Sequence, residues 1–172
     1  MKIHNLTLSF IILLCGILFP RNFDQRDIPI HENGRIKPLD TFVRNQLLNI
    51  YGKRSIKPKA LPEELNSKGL SAIDWFFDIA INPDEGDKYS VFNISNPEVV
   101  ASLGLYWDPS HLYNRKEILS GLKNQIDYIT TIQGKPEAEL TQFDTQMLKV
   151  YSNVIQYQTL SYSLSCLLPL IQ

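Results

Sequence analysis

One periodic apolar run constrains this chain more than any other feature. Leu140, Phe143, Met147, Val150, Val154 and Tyr157 recur at steps of three and four. Residues at that spacing share one face of an α-helix, so the segment needs a partner surface along its length. Pro136 opens the stretch, and the spacing predicts a long helix over about 136–168. This is the spacing of a packed or coiled-coil-like seam. Two shorter stretches also read as helices. "LSAIDWFFDIAIN" places Ile73, Phe76, Phe77 and Ala80 on one side, with Ser71 as N-cap and Asp74 three residues on. Ile118, Leu122, Ile126 and Ile129 make a second stripe, from Asn114 to a stop at Gly134. A third, short helix follows Asn96-Pro97 and ends at Gly104.

Strand signals are few. "IPIHENGRIKP" reads as two short extended pieces about Asn33-Gly34, residues that take positive φ at low cost. Pro29 and Pro38 donate no ladder hydrogen bond, which keeps any hairpin short or at an edge. "YSVFNI" is a second strand segment. Asp40 or Thr41 is read as the cap of the helix "TFVRNQLLNIY", which Gly52 ends. "KRSIKPKALPEELNSKG" reads as a surface or mobile connector. The expected fold is therefore mainly α with a minor β component and one or two short strand pairs.

The chain's ends are apolar. Residues 1–21 carry Lys2, then an uncharged run from Asn5 to Pro20, then Arg21, the pattern of a signal peptide or membrane anchor. Residues 22–172 form the remaining, extracytoplasmic helical domain. Its last segment, "LSYSLSCLLPLIQ", docks in the core or leads towards a membrane. Cys15 and Cys166 lie one in each terminal run, and no zinc or CxxC spacing is available to two cysteines so placed. With 17 Lys+Arg against 18 Asp+Glu, the chain lacks the basic excess that phosphate backbones demand. Nucleic acid is not an expected partner.

Few residues advertise chemistry. No nucleophile, base and oxyanion donor occur in a recognisable arrangement, so no catalytic residue is assigned. No metal site is expected either, because "PDEGDK" lacks the alternating oxygen donors of a calcium loop. His31 and His111 are weak candidates for a cofactor ligand, His4 lying in the leader. Arg35, Lys37 and Arg44 form a cationic group suited to a carboxylate, a partner or an anionic headgroup; pairing with Glu32 or Asp40, or solvation, is the plainer reading. Trp75, Phe76 and Phe77 read as core. Gly34, Pro38, Asp40 and Thr41 read as structural punctuation.

The block "IPIHENGRIKPLDTFVRNQLLNIYGKRS" resembles the opening of the extracytoplasmic region in fused System II cytochrome c biogenesis proteins of the ResB/CcsA type. Ile28, Pro29, Gly34, Arg35, Lys37, Pro38, Asp40, Thr41 and Arg44 carry the likeness. "DWFFDIAINPDEGDKYSVFNISNPEVVASLGL" and "ELTQFDTQMLKVYSNVIQYQTLSYSLSCLLPL" resemble later parts of that region more loosely. The resemblance implies a membrane-associated scaffold of haem delivery, periplasmic and not catalytic by itself, beside a multi-spanning ResB/CcsA-type protein. The family's haem-handling "WWD" segment is missing: Trp75 and Trp107 are far apart, and "YWDP" does not match it. No resident cofactor is therefore expected, haem remaining the one open ligand. A general extracytoplasmic interaction or ligand-binding domain is the alternative.

Overall fold

A computed structural model describes residues 24–65 and 68–164. It divides into two compact units, Met1–Leu39 and Asp40–Gln172. The described part of the first unit is a hairpin. Strand β1 (Pro29–Glu32) pairs antiparallel with β2 (Arg35–Pro38), in the register Pro29↔Pro38 to Glu32↔Arg35. Asn33 and Gly34 bridge the strands with φ of 52° and 74°. Both central residues of this tight turn are left-handed, which matches the twist of the two strands. The Leu39 N–H donates to the Ile28 carbonyl at 2.8 Å and closes the hairpin's open end.

Helix α1 (Leu39–Tyr51) starts directly after β2. Asp40 and Thr41 therefore sit inside its first turn rather than capping it. Asp40 instead accepts from Arg44 Nε at 2.7 Å, one turn along. Val43, Leu47, Ile50 and Tyr51 are buried, and Gly52 ends the helix at φ 78°.

The connector after Gly52 differs from expectation. Strand β3 (Ser55–Ile56) pairs with β4 (Leu70–Ser71), and a 3-10 turn covers Pro58–Ala60. Ile56, Ala60 and Leu61 are buried, and the Ala60 carbonyl accepts from Ser90 N–H at 2.9 Å. Three apolar residues scattered among lysines and prolines show no period, yet they are core.

Helix α2 (Ala72–Ile81) follows, with the Ser71 hydroxyl accepting from Asp74 N–H at 3.2 Å. Trp75, Ile79 and Ala80 are fully enclosed. Pro83 breaks the chain into a short turn of helix, α3 (Pro83–Gly86). Strand β5 (Phe92–Asn93) leads to α4 (Pro97–Ser102), where Asn96 Oδ1 accepts from two backbone N–H groups. Strand β6 (Leu112–Tyr113) pairs back with β5. The described residues thus hold three two-stranded antiparallel pairs.

The stripe from Ile118 to Ile129 is two helices, not one: α5 (Arg115–Asn124) and α6 (Ile126–Gln133). Gln125 leaves the helical path, and its side-chain amide donates to the Ser102 carbonyl at 3.0 Å. That satisfies an orphan acceptor at the end of α4. Ile129 and Ile132 are fully buried while Ile126 is left 44% exposed.

The seam helix α7 (Gln142–Ser161) begins later than its sequence suggests, because Thr141 and Asp144 form a reciprocal capping box. Pro136 starts only a 3-10 turn, Glu137–Glu139. Met147, Val150, Val154, Tyr157 and Leu160 are buried, and α2, α4 and α6 all pack on this helix.

The expected fold class needs one correction. The helices and short strand pairs are present, but among the described residues there is no apolar helix that could serve as a membrane anchor. Among the described residues, no helix is long and apolar enough to cross a membrane. The longest, α7, has 20 residues but alternates its apolar stripe with Asp144, Lys149, Asn153 and several glutamines. The leader, Cys15, Cys166 and His4 lie outside the described residues.

Asp144 gives the start of α7 a pH dependence. Its carboxylate accepts from the Tyr128 hydroxyl and from Thr141 N–H at 3.0 Å, with Lys135 Nζ at 3.7 Å. The Tyr128 bond foremost, then the Thr141 backbone bond, lower its pKa below the ordinary carboxylate value of 3.8. A depressed carboxylate stabilises the fold fully above its unfolded pKa and loses that contribution as pH falls through the folded one. Urea midpoints of wild type and Asp144→Asn should therefore differ at pH 7 and converge as pH drops below 3.8. A gap that stays constant to pH 2 would show that the carboxylate's charge is not what matters.

Candidate functional site

The residues singled out in the sequence fall in different places. In the hairpin, His31 and Arg35 are exposed, and Ile36 is 76% exposed. Lys37 pairs across the strands with Glu32. Gly34 turns the chain, and Pro38 ends β2 opposite Pro29. Arg44 belongs to the second unit, where it is bound to Asp40 on α1. The three cations thus lie on two elements: Lys37 and Arg44 each have an acidic neighbour of their own, and Arg35 stands at the mouth of the turn.

His111 sits in a second loop, "LYWDPSHLY", between α4 and β6. Asp108 Oδ1 accepts from Ser110 N–H at 2.6 Å and so folds the loop back. His111 follows in a left-handed conformation, φ 57°. Its ring meets Trp107 edge-on, with centroids 4.6 Å apart, and its Nδ1 is buried without a hydrogen-bond partner. The Tyr113 hydroxyl holds the loop from below, donating to the Tyr106 carbonyl at 3.0 Å and accepting from Asp108 N–H at 3.3 Å. This frame leaves Tyr106 95% exposed and Trp107 48% exposed. The bonds from Ser110 hold the Asp108 carboxyl below its usual range. A pocket of about 310 Å³ opens here, with Tyr106, Tyr113, Asp108 and Glu117 among its walls.

The acidic residues around α3 are distributed among separate partners. Asp78 accepts from Tyr89 at 3.0 Å, Glu85 from Lys88 at 2.7 Å, and Asp87 from Arg115 at 2.7 Å. Burial raises the Asp78 pKa and is the main cause that pushes the Tyr89 phenol up to about 12. Among the described residues, no three His, Cys, Asp or Glu side chains are grouped to hold a metal ion.

The Asp87–Arg115 pair is the interior feature that sequence reading misses. Its partners lie 28 residues apart and are only 9% and 14% exposed. Arg115 Cζ lies 6.0 Å from the Tyr157 ring centroid, and Phe92 and Trp75 pack on the same ring at 5.4 and 6.1 Å. Burial, with the Asp87 charge second, raises the Tyr157 pKa strongly, so the phenol stays neutral. Nothing here resembles a nucleophile beside a base. It is a polar joint in the core that ties α3 and α5 to α7. An apolar groove of about 210 Å³ also runs between α5 and α7, lined by Leu122, Ile126, Val154 and Ile155.

Among the described residues, the hairpin tip and the Tyr106–Trp107 loop both present exposed side chains for contact. No protein family model, characterised protein or solved structure compared with the chain matches it.

Proposed function

We propose that this chain is a non-catalytic accessory module of cytochrome c biogenesis, docking on a ResB/CcsA-type multi-spanning membrane protein at its extracytoplasmic face. The observation that carries the reading is the Ile28–Arg44 block. Its residues resemble the opening of that family's extracytoplasmic region. Ile30 to Lys37 form a tight hairpin that exposes Arg35 and Ile36. An exposed apolar residue beside an arginine at a turn is suited to insertion into a partner surface. Haem itself is not required to bind the chain.

A strain lacking the chain tests this by haem staining of c-type cytochromes. Wild type should restore covalent haem, while the pair Arg35→Glu and Ile36→Asp should restore a small fraction of it at equal protein level. Full restoration by that pair would remove the hairpin from the function. Failure of the wild type to matter at all would remove the pathway.

The exposed Tyr106–Trp107 loop favours a second reading, a general extracytoplasmic interaction or ligand-binding domain unrelated to haem. Haem titration of the full chain probes the remaining possibility of direct haem handling. A shifted Soret band that vanishes in His31→Ala or His111→Ala would mark it.

A further inference from the structure

We propose that the pocket beside the 104–113 loop binds an arginine side chain presented by a partner polypeptide, held between the Tyr106 ring and the carboxylates of Asp108 and Glu117. The inference does not depend on the haem-delivery reading, and it uses none of the hairpin residues.

Three observations carry it. The first is the free ring. Tyr106 is 95% exposed, although its own carbonyl is pinned by Tyr113, so the backbone is fixed while the aromatic face is uncovered. Uncovered aromatic faces attract guanidinium groups by stacking and cation–π contact. The second is charge. The pocket wall contains Asp108 and Glu117 and no lysine or arginine. Each carboxylate has one oxygen held by a backbone N–H, Asp108 Oδ1 by Ser110 at 2.6 Å and Glu117 Oε2 by Asn114 at 2.8 Å. Both are thereby oriented; Asp108 takes a further bond from the Ser110 side chain, and Glu117 keeps its second oxygen for an incoming donor. The third is size. About 310 Å³ is ample for a guanidinium and its methylene stem. Lys59 and His111 also act on Asp108 from outside the pocket wall and reduce its pull on any cation, so the preference for a guanidinium over an ammonium is left to the ring.

The probe is N-acetyl-L-arginine amide, titrated into the full chain at fixed ionic strength. The two tryptophans give a built-in control: Trp107 adjoins the pocket residues in the loop, whereas Trp75 is completely enclosed. The Trp107 indole NMR signal, assigned with Trp107→Phe, should move saturably at millimolar probe while the Trp75 signal stays still. Tyr106→Ala removes only an exposed side chain and should weaken binding by roughly threefold to tenfold. Asp108→Asn should weaken it further at low salt than at high salt. The proposal is overturned by the absence of saturation, by an equal response to N-acetyl-L-alanine amide, or by unchanged affinity in Tyr106→Ala.

Discussion

Replacing Arg115 with methionine is expected to cost about 3–5 kcal/mol of folding stability. The substitution keeps much of the side-chain volume but strands the Asp87 carboxylate, 9% exposed, with no cation beside it. Asp87 Oδ1 already lacks a hydrogen-bond partner, as do Arg115 Nε and the Tyr157 hydroxyl. The joint therefore has little reserve once its one strong contact, 2.7 Å long, is gone. A buried pair is not the same as a stabilising pair, because both ions have lost their hydration. The double variant Asp87→Leu with Arg115→Met should accordingly recover much of the loss. Urea denaturation of the two single variants and the double variant measures this directly. A loss below about 1 kcal/mol for Arg115→Met would place the pair in the class of solvated surface bridges.

Gly121→Ala is expected to destabilise the fold by roughly 1–3 kcal/mol, against the usual preference of helices for alanine. Gly121 lies inside α5, where alanine would ordinarily gain about 1 kcal/mol. Here an added Cβ would fall 2.2 Å from the Leu103 carbonyl oxygen and 2.8 Å from Leu103 Cα. Those are backbone atoms at the end of α4, and they cannot swing aside as a side-chain tip can. The helices must separate, which would also stretch the Gln125–Ser102 hydrogen bond four residues on. The steric cost is the larger effect. A rise in melting temperature would mean that α5 and α4 slide apart at little expense.

How much of this was legible depends on the range of the contact. Asn33-Gly34 specified its hairpin, and Ser71 and Asn96 specified two helix starts, because a turn and a cap are settled within four residues. Asp40 misled for the same reason: it looks like a cap, but β2 runs straight into α1 and Arg44 takes its carboxylate. The seam from Met147 to Tyr157 was legible because period alone determines a buried face. The break at Gln125 was not, since its stabilising acceptor is Ser102, 23 residues away. Nor was the burial of Ile56 and Leu61, which depends on what the fold brings over them. The site divides the same way. The exposure of Arg35 follows from its place at a turn, but "YWDPSH" reads only as an irregular stretch until Ser110 and Tyr113 are seen to fix its backbone and leave Tyr106 uncovered.

Under the proposed function, the hairpin docks on the haem-delivery assembly. A photo-crosslinking residue in place of Ile36, which is 76% exposed, tests it most directly in living cells. Illumination should give one dominant adduct, identified by mass spectrometry as a ResB/CcsA-type multi-spanning protein. The same residue in place of Ile81, 42% exposed on α2, should give no such adduct. Crosslinking at position 36 to unrelated proteins alone, or equal capture from both positions, would contradict docking through the hairpin.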